Sequence, residues 1–285
     1  MLHSSTIQLL RFHFSIFLLP VFLFALSQLP HINWFHAALI FVILHFLVYP
    51  ASNGYNSYMD RDTTAIGGLA HPQQPTRQLF WTTLVLDVIA VLLSLLISVF
   101  FSVGILFYIL ASRAYSYRGV RLKKFPIIGF LTVFVFQGAW IFFLVYTSAG
   151  ESTDAKLPIL FIAVASMLIG ALYPLTQIYQ HEADKKDGVI TISYLLGKKG
   201  SFVFSGLMFT TAAVLLFLGF KAQDKINHFF LFLLMTFPVV LFFCYWMFKV
   251  WRNPEAADFK RSLLMNIIST LCTTAFFTVL IFLNH

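Results

Sequence analysis

Long apolar stretches alternate with short polar segments along the whole chain. Nine of these stretches have about the 20 residues that an α-helix needs to cross the roughly 30 Å apolar core of a bilayer. Their continuous apolar character lacks the alternation of transmembrane β-strands. The pattern therefore predicts an all-α, polytopic membrane protein with spans at residues 9–29, 34–52, 79–99, 101–115, 126–148, 157–176, 201–221, 228–250 and 263–283.

The composition supports the same class. Hydrophobic residues make up 59% of the 285 positions, charged residues make up 11%, and the mean hydropathy is +0.84, which is too apolar for a soluble domain. The first apolar stretch lacks a small-residue cleavage site and is long enough to be a spanning helix. Cys244 and Cys272 lie within predicted spans and the histidines show no ligand spacing, so neither a disulfide nor a histidine metal site is expected.

Lysine and arginine are distributed asymmetrically between the two ends of the predicted helices. With the N-terminus in the cytoplasm, all but three of the 19 Lys and Arg residues lie in or beside cytoplasmic segments, the exceptions being Lys156, Lys221 and Lys225. Short cytoplasmic loops collect such residues, so we expect a cytoplasmic N-terminus and an external C-terminus, in a bacterial inner (plasma) membrane. Topology accounts for the net charge of +8, and no nucleic-acid partner is expected.

Three cytoplasmic segments carry most of the polar chemistry: residues 53–78, 112–125 and 180–200. The first contains the acidic cluster NGYNSYMDRD at 53–62, and the cluster YQHEADKKD at 179–187 overlaps the third. Each cluster follows the second span of a group of four. This placement predicts two four-helix groups plus a ninth helix around a central cavity, although the apolar sequences of the two halves show no obvious identity.

The first acidic cluster has a helical spacing. Asn53, Asn56 and Asp60 stand at i, i+3 and i+7, which places them on one face if the second helix continues past the apolar boundary. Asp62 would lie about 200° from Asp60 around an unbroken helix. The two acids can therefore serve one site only if the helix ends near Asp60, and the glycines and prolines that follow favour such an end.

The second acidic cluster repeats this spacing. Gln177, Gln180 or His181, Asp184 and Asp187 would lie along one face of a continuing sixth helix, and Glu182 would be displaced from it. Carboxylates gathered in this way repel one another and require a cation or protons. Oxygen ligands favour Mg²⁺ or Ca²⁺, and Mg²⁺ completes its coordination shell with water and substrate phosphates, so two facing clusters predict a diphosphate site.

Basic residues that can bind phosphate lie in the same segments, and three alternatives to a diphosphate site stay open. The clusters could be ordinary wet loops whose basic residues are only topology signals. A cation-coupled transporter would hold an ion near the midplane, where Asp87 is the one acid deep inside a predicted span. A noncatalytic scaffold would not depend on Asp60 or Asp184.

The first cluster resembles a signature of the UbiA superfamily of intramembrane prenyltransferases, which is built from nine transmembrane helices. The signature is Asn-Asp-x-x-Asp-x-x-x-Asp, and NSYMDRDTT matches it at Asn56 and Asp60. Ser57 and Thr64 replace two of the family's acids, whereas Asp62 matches an Asp-Arg-Asp form found in many members. The resemblance covers nearly the whole chain.

Two further segments carry the resemblance. QHEADKKDGVIT is similar to the family's second signature, Asp-x-Glu-x-Asp followed by basic residues, Gly and Thr. Glu182, Asp184, Gly188 and Thr191 match, and Gln180 replaces the leading Asp. Between the two signatures, AYSYRGVRLKK resembles the family's Tyr-Ser/Thr stretch that ends in a basic residue. The three segments stand in the order that the family shows.

The resemblance implies one transmembrane prenyltransferase domain over residues 1–285, which transfers an isoprenoid group from its diphosphate to an aromatic or other lipophilic acceptor within the membrane lipids. It implies two Mg²⁺ ions and catalytic roles for Asp60 and Asp184. The implied metal ligands are Asp60, Asp62, Glu182, Asp184 and Asp187. The implied diphosphate contacts are Asn56, Arg61, Tyr115, Ser116, Arg121, Lys123 and Lys185, with Asn53 and Gln180 as further polar residues.

The replaced acids leave an inactive relative as an alternative, because Thr64 and Gln180 remove two possible ligands. The remaining carboxylates still suffice for two Mg²⁺ ions that retain water. Family members alkylate aromatic acids, naphthoquinone precursors, haem, chlorophyll pigments or lipids, and the shared motifs do not choose among these acceptors or fix the prenyl length.

Overall fold

The computed structural model describes residues 2–151 and 156–284, where the chain is largely helical. Nine helices within these ranges are long and apolar enough to span a membrane, which confirms the predicted number and fold class. They are α1 (Ser4–Ser27), α2 (Trp34–Asp60), α3 (Arg77–Ser94), α4 (Val99–Ser116), α5 (Pro126–Ala149), α6 (Ile159–Gln177), α7 (Ile192–Ala222), α8 (Ile226–Arg252) and α9 (Phe259–Asn284).

Several helices extend beyond their predicted spans at the end of the bundle that carries the two acidic clusters, here called the acidic end. α2 continues to Asp60 rather than stopping at 52, and α7 begins at Ile192 rather than at 201. Hydropathy marks only the apolar part of a helix, whereas the backbone hydrogen bonds continue through the polar residues beyond it. α7 also bends near its start, where Gly197 has φ 70° and ψ 170°.

Phenylalanine rings form the centre of the bundle. Phe24 of α1 stacks on Phe277 of α9 with the ring centroids 4.4 Å apart, and it meets Phe142 of α5 edge-on at 4.9 Å. Phe161 of α6 completes the group, with its ring centroid 5.7 Å from that of Phe24. Because lipid is as apolar as these rings, close packing rather than removal from water holds the helices together.

α5 and α6 approach closely at Gly138. A Cβ at this position would lie 2.4 Å from the Cα of Ser166, so a larger residue requires a backbone shift. The Ser166 hydroxyl donates to the carbonyl of Phe134 at 2.7 Å, within the π-helical segment Phe134–Trp140. The wider turn of this segment frees backbone groups for such a contact and contains Gln137, which lines the cavity described below.

A buried ion pair joins three helices of the first half. Arg113 of α4 donates from Nε to Asp87 Oδ2 of α3 at 2.9 Å and from Nη1 to Thr83 Oγ1 at 3.3 Å. The same guanidinium lies 3.9 Å from the ring centroid of Tyr55 in α2. Asp87, 7% exposed, is thus a paired structural acid, and its pairing does not favour the transporter alternative.

We expect replacement of Asp87 by alanine to lower the free energy of unfolding by about 3–5 kcal/mol, because it leaves the Arg113 guanidinium without its counter-charge inside the bundle. Unfolding in mixed micelles, followed by circular dichroism, measures this loss. The double variant Asp87→Leu/Arg113→Met removes both charges and is expected to recover most of the stability. Equal losses in the single and double variants would contradict a role for the pair.

Candidate active site

The last turns of α2 bring three polar side chains into one cavity, and the turn that follows the helix brings a fourth. Asn53, Asn56 and Asp60 lie on the cavity face of the last turns of the helix. The helix ends at Arg61, which has φ 55° in the left-handed region, and the chain turns so that Asp62 lines the same cavity. The expectation that α2 continues past the apolar boundary and ends near Asp60 is confirmed.

The second acidic cluster stands on a separate short helix, His181–Lys186, so the prediction that α6 continues through it is wrong. α6 ends at Gln177. The N–H of Gln180 then bonds to the carbonyl of Gln177 at 2.9 Å, an i−3 contact that replaces the α-helical i−4 ladder. Asp184 of the short helix lines the cavity that Asp60 and Asp62 share.

A hydrogen-bonded chain fixes the short helix to α7. His181 Nε2 and Ser193 Oγ share a hydrogen bond of 2.8 Å, and Ser193 Oγ lies 2.9 Å from Ser201 Oγ. Burial, with the nearby positive charge of Lys198, lowers the pKa of His181 to about 4. The imidazole is therefore neutral at physiological pH, which suits its contact with the uncharged Ser193 hydroxyl. This contact holds the short helix in place.

The end of α4 and the loop after it supply polar and basic groups. Ser116 Oγ donates to Asn56 Oδ1 at 2.9 Å, and Lys123 Nζ donates to the same oxygen at 3.3 Å. Lys123 also forms an ion pair with Asp60, and both side chains are about nine-tenths buried. Tyr115, in the last turn of α4, lines the cavity beside Ser116.

Arg121 links the two acidic clusters. Its Nη2 contacts Asp60 Oδ1 at 3.4 Å and pairs with the carboxylate of Asp187, while its Nη1 donates to the carbonyl of Asp187 at 3.0 Å. Arg118 approaches Asp187 Oδ1 at 3.6 Å and donates from Nε to the carbonyl of Met59 at 2.7 Å. These contacts place the loop from residue 117 to residue 125 against the mouth of the cavity.

The cavity at the acidic end has a volume of about 190 Å³ and collects most of the predicted residues. Those that line it are Asn53, Asn56, Asp60, Asp62, Tyr115, Ser116, Lys123, Gln180 and Asp184. Arg121 and Asp187 pair with each other beside it. Arg61, Glu182 and Lys185 are exposed side chains and are not among the lining residues.

The sequence reasoning missed several lining residues that come from within the predicted spans. Arg11 of α1 is 5% exposed and lines the cavity, whereas the distribution of charge along the sequence accounts for it as a topology signal alone. Tyr173 of α6 lines the cavity, and its hydroxyl pairs with that of Tyr115. Tyr108 and Gln137 complete the inner wall. A lone charged or amide side chain inside an apolar span is the signal that could have found Arg11 and Gln137.

Comparison with known proteins decides the family. Residues 15–281 match the model of the family described as UbiA prenyltransferase family. The chain belongs to the UbiA prenyltransferase family. A comparison with curated proteins found no match.

Solved UbiA structures share the fold of this chain. A UbiA homolog from Archaeoglobus fulgidus bound to DMAPP and Mg²⁺ has a TM-score of 0.72 at 18% identity, covering 98% of this chain and 99% of that chain. An apo UbiA homolog from Aeropyrum pernix K1 has a TM-score of 0.70 at 19% identity, covering 94% and 98%. A structure of digeranylgeranylglyceryl phosphate synthase has a TM-score of 0.63 at 21% identity, covering 98% of both chains.

The two positions at which the first UbiA signature departs from the family differ in their surroundings. Ser57 is 2% exposed, and its hydroxyl has no hydrogen-bond partner among the described residues. Thr64 is exposed in the loop after α2. Gln180, which replaces an acid of the second signature, lines the cavity and donates from Nε2 to the carbonyl of Ala65 at 3.1 Å. It therefore joins the second signature, through an uncharged contact, to the residue that follows the first.

The donor set of this UbiA cavity fits Mg²⁺. Burial, with the negative charge of Asp60, raises the pKa of Asp62 to about 6. Burial raises the pKa of Asp184 to about 7, with Lys123 opposing and the neighbouring carboxylates adding to the rise. Within the described residues no group of three or more His, Cys, Asp or Glu side chains forms a metal cage by itself. Mg²⁺ is typically held by one or two carboxylates, water and substrate phosphates, which suits this arrangement.

We expect the Mg²⁺ affinity of the cavity to rise with pH. The ionised carboxylate is the ligand, so protons on Asp62 and Asp184 compete with the metal below pKa values of about 6 and about 7. The apparent Kd should fall by up to about tenfold per pH unit for each carboxyl that is still protonated, which means both acids below about pH 6 and Asp184 alone up to about pH 7, and it should level off above about pH 8. The Mg²⁺-dependent shift in melting temperature, measured at each pH without diphosphate, tests this, because diphosphate itself loses a proton over the same pH range. A profile that is flat over this range would contradict it.

Proposed function

We propose that the chain transfers an isoprenoid group from its diphosphate to an aromatic or other lipophilic acceptor within the membrane, in a reaction that depends on Mg²⁺. One observation carries the proposal. Carboxylates from both acidic clusters line a single cavity together with Lys123 and Asn56, and a smaller compartment that adjoins this cavity also adjoins an apolar chamber. An ion that carries negative groups at one end and a long apolar chain at the other fits such a site.

Asp60, Asp62 and Asp184 are the proposed ligands, and they would hold two ions with water and the substrate diphosphate completing the coordination. Mg²⁺, when bound, would neutralise the negative charge that builds on the departing diphosphate. Asp187 is instead proposed to orient Arg121, with which it pairs. Glu182 is exposed and has no assigned role.

Side chains from α2, α4 and the loop that follows are proposed to bind and orient the diphosphate. Ser116 and Lys123 both contact Asn56, so the three groups form one connected patch of the cavity wall. Lys123 and Arg121 bring positive charge next to Asp60, where the departing diphosphate would gain negative charge. Positive groups fixed there stabilise the transition state for departure of the diphosphate more than they stabilise the bound prenyl diphosphate.

Two neighbouring compartments offer room for the apolar part of the substrates. A compartment of about 150 Å³ shares Asn53, Tyr108 and Tyr173 with the polar cavity. It shares Phe17 and Leu172 with a chamber of about 340 Å³ that lies between α1, α6, α7, α8 and α9. The apolar chamber walls exclude water, and the faces of the tyrosine rings can stabilise a developing allylic cation.

Several features of the relatives support this proposal. The Archaeoglobus fulgidus homolog was solved with DMAPP or GPP together with Mg²⁺, and another relative is named for synthesis of digeranylgeranylglyceryl phosphate. The proposal treats residues 1–285 as one domain with its acidic end at the cytoplasmic face of a bacterial inner membrane. The positive charges collected at that end support the orientation.

The test is turnover of radiolabelled geranyl diphosphate by purified protein in detergent, with and without Mg²⁺, and with a panel of aromatic and lipid acceptors. We expect Mg²⁺-dependent release of diphosphate and a labelled lipophilic product. Asp60→Ala/Asp184→Ala is the control expected to be inactive, and Glu255→Gln changes an exposed acid that does not line the cavity. No turnover with any donor length or acceptor would favour the inactive-relative alternative.

A further inference from the structure

The short helix that carries Asp184 has no apolar anchor of its own. It spans only His181–Lys186, and none of its residues is buried. Helices of fewer than about 12 residues are marginally stable unless they pack against other elements. Polar contacts at the two ends of this helix must therefore fix the position of Asp184 at the cavity.

Two of these contacts join the short helix to loops rather than to the bundle. At its far end, Arg121 pairs with the carboxylate of Asp187 and donates to the Asp187 carbonyl at 3.0 Å. Arg121 also contacts Asp60, so this anchor is shared with the groups that are proposed to bind the metal and the diphosphate. At the near end, Gln180 donates to the carbonyl of Ala65, which lies in the loop after α2. Neither contact fixes the short helix to a transmembrane helix.

His181 provides that connection. Its Nε2 lies 2.8 Å from Ser193 Oγ, and Ser193 Oγ lies 2.9 Å from Ser201 Oγ. Both serines belong to α7 and are fully buried. The ring of Tyr194 meets the imidazole edge-on, with the centroids 5.5 Å apart. The near end of the short helix is thus anchored in the interior of α7.

The direction of the hydrogen bonds in this chain follows from the number of donors. The Ser201 hydroxyl donates its one proton to the carbonyl of Gly197 at 2.9 Å, the nearer of its two carbonyl neighbours. Ser193 must then donate to Ser201, which leaves the Ser193 oxygen as the acceptor for the imidazole. His181 therefore donates from Nε2, and every hydroxyl in the chain is satisfied.

The chain also crosses the bend in α7. Gly197, with φ 70° and ψ 170°, separates the first turn of α7, which contains Ser193, from the rest of the helix, which contains Ser201. A Cβ at Gly197 would meet nothing within 4 Å, so the position needs glycine for its backbone conformation and not for close packing. The Ser193–Ser201 bond holds the first turn against the rest of the helix, and it transmits that fixed position to His181.

We propose that His181, acting through Ser193 and Ser201, is a positioning residue that keeps Asp184 where it can bind Mg²⁺. The inference rests on the proposed function for the role of Asp184 as a metal ligand. His181 does not line the cavity, so it acts only through the short helix. If Asp184 is correctly placed for only a fraction of the time, the apparent Kd for Mg²⁺ rises by the inverse of that fraction, and saturating Mg²⁺ restores the placement.

The experiment compares equilibrium Mg²⁺ binding by wild type, His181→Phe, His181→Gln and Ser193→Ala in detergent at pH 8. Phenylalanine keeps a ring against Tyr194 and removes the donor, so we expect the Kd to rise by about 10- to 100-fold, as for other groups that orient metal ligands. Ser193→Ala removes the acceptor and should cause the same rise. The double variant His181→Phe/Ser193→Ala should lose no more than either single variant, because one interaction is removed in all three. Glutamine supplies an N–H donor and should recover most of the affinity.

Two further measurements separate positioning from a general loss of stability. Amide hydrogen exchange in His181→Phe should become faster at residues 181–187 and stay unchanged in α3 and α9. The Mg²⁺ concentration for half-maximal turnover of geranyl diphosphate should rise with the Kd, whereas kcat at saturating Mg²⁺ should stay within about threefold of wild type. Ser94→Ala is the matched control, since Ser94 is fully buried in α3 and its hydroxyl donates to the carbonyl of Ala90 at 2.7 Å. It should bind Mg²⁺ as wild type does.

Several outcomes would overturn the assignment. They are equal Mg²⁺ affinity in wild type and His181→Phe, an equal loss in Ser94→Ala, a loss in His181→Gln as large as in His181→Phe, a fall in kcat that saturating Mg²⁺ does not reverse, and a wild type that binds no Mg²⁺. Wild type that binds Mg²⁺ more tightly than His181→Phe but does not turn over geranyl diphosphate with any acceptor would contradict the proposed function and leave the positioning role of His181 standing.

Discussion

We expect Mg²⁺-dependent turnover of geranyl diphosphate to fall by about a thousandfold when Asp184 is replaced by asparagine, in line with the loss of one preorganised charge in a buried site. Asp184 lines the same cavity as Asp60 and Asp62, although it comes from the other half of the chain. Asparagine keeps the shape of the side chain and removes the negative charge that would hold a divalent ion. The measurement is kcat/KM with labelled geranyl diphosphate, together with the Mg²⁺ concentration that gives half-maximal rate.

A stability measurement separates this loss from misfolding. The pKa of Asp184 is raised to about 7 in the folded protein, so at pH 8 its ionised form lowers the stability of the folded state relative to the unfolded chain, where the pKa is ordinary. A neutral replacement should therefore leave the melting temperature in Mg²⁺-free buffer unchanged or higher at pH 8. The exposed Glu255→Gln is the matched control for a lost acid. Turnover of Asp184→Asn within about tenfold of wild type would exclude Asp184 from the charge-bearing ligands.

The sequence predicted the elements of this fold well because spanning helices leave a strong local signal. An uninterrupted apolar stretch fixes where a helix crosses the bilayer, and the i, i+3, i+7 spacing of Asn53, Asn56 and Asp60 fixes the face they share. The end of α2 near Asp60 was also predictable, since glycines and prolines follow. These features depend on neighbouring residues in the chain alone.

The parts that failed depend on contacts between distant segments. The turn after Gln177 places Asp184 in the cavity and leaves Glu182 exposed, whereas a single continuing helix was expected. The pairing of Arg121 with Asp187 joins the loop before α5 to the second cluster, and spacing within either segment cannot show it. The place of Arg11 at the cavity depends on the break in α1, where Arg11 has φ 50°, and on the position of the 61–76 loop. Its place in the cavity wall was hidden because a basic residue near the end of a span also fits a topology signal.

The second large effect is expected at Lys123, where substitution should change metal binding and turnover in opposite directions. Lys123 pairs with Asp60 and contacts Asn56 in a buried setting. In Lys123→Met, Asp60 loses a competing cation, so Mg²⁺ alone should bind more tightly. The same variant loses a positive charge beside the proposed position of the leaving diphosphate, so kcat should fall by about 10²–10³-fold. Equilibrium Mg²⁺ binding without diphosphate and single-turnover kinetics with it measure the two effects separately.

Lys124 provides the matched control for this prediction. It is the next residue in the chain, and its Nζ lies 4.9 Å from the ring centroid of Phe125, outside the set of residues that line the cavity. Lys124→Met removes the same charge from the same loop and should alter both measurements by less than about threefold, the scale of an exposed charge. Similar effects for the two lysines would mean that the loop acts through its general positive potential. A selective effect at Lys123 would be tighter Mg²⁺ binding together with slower turnover. That result would mean that the Lys123 ammonium competes with Mg²⁺ for Asp60 before the diphosphate binds, and that it contacts the leaving diphosphate afterwards.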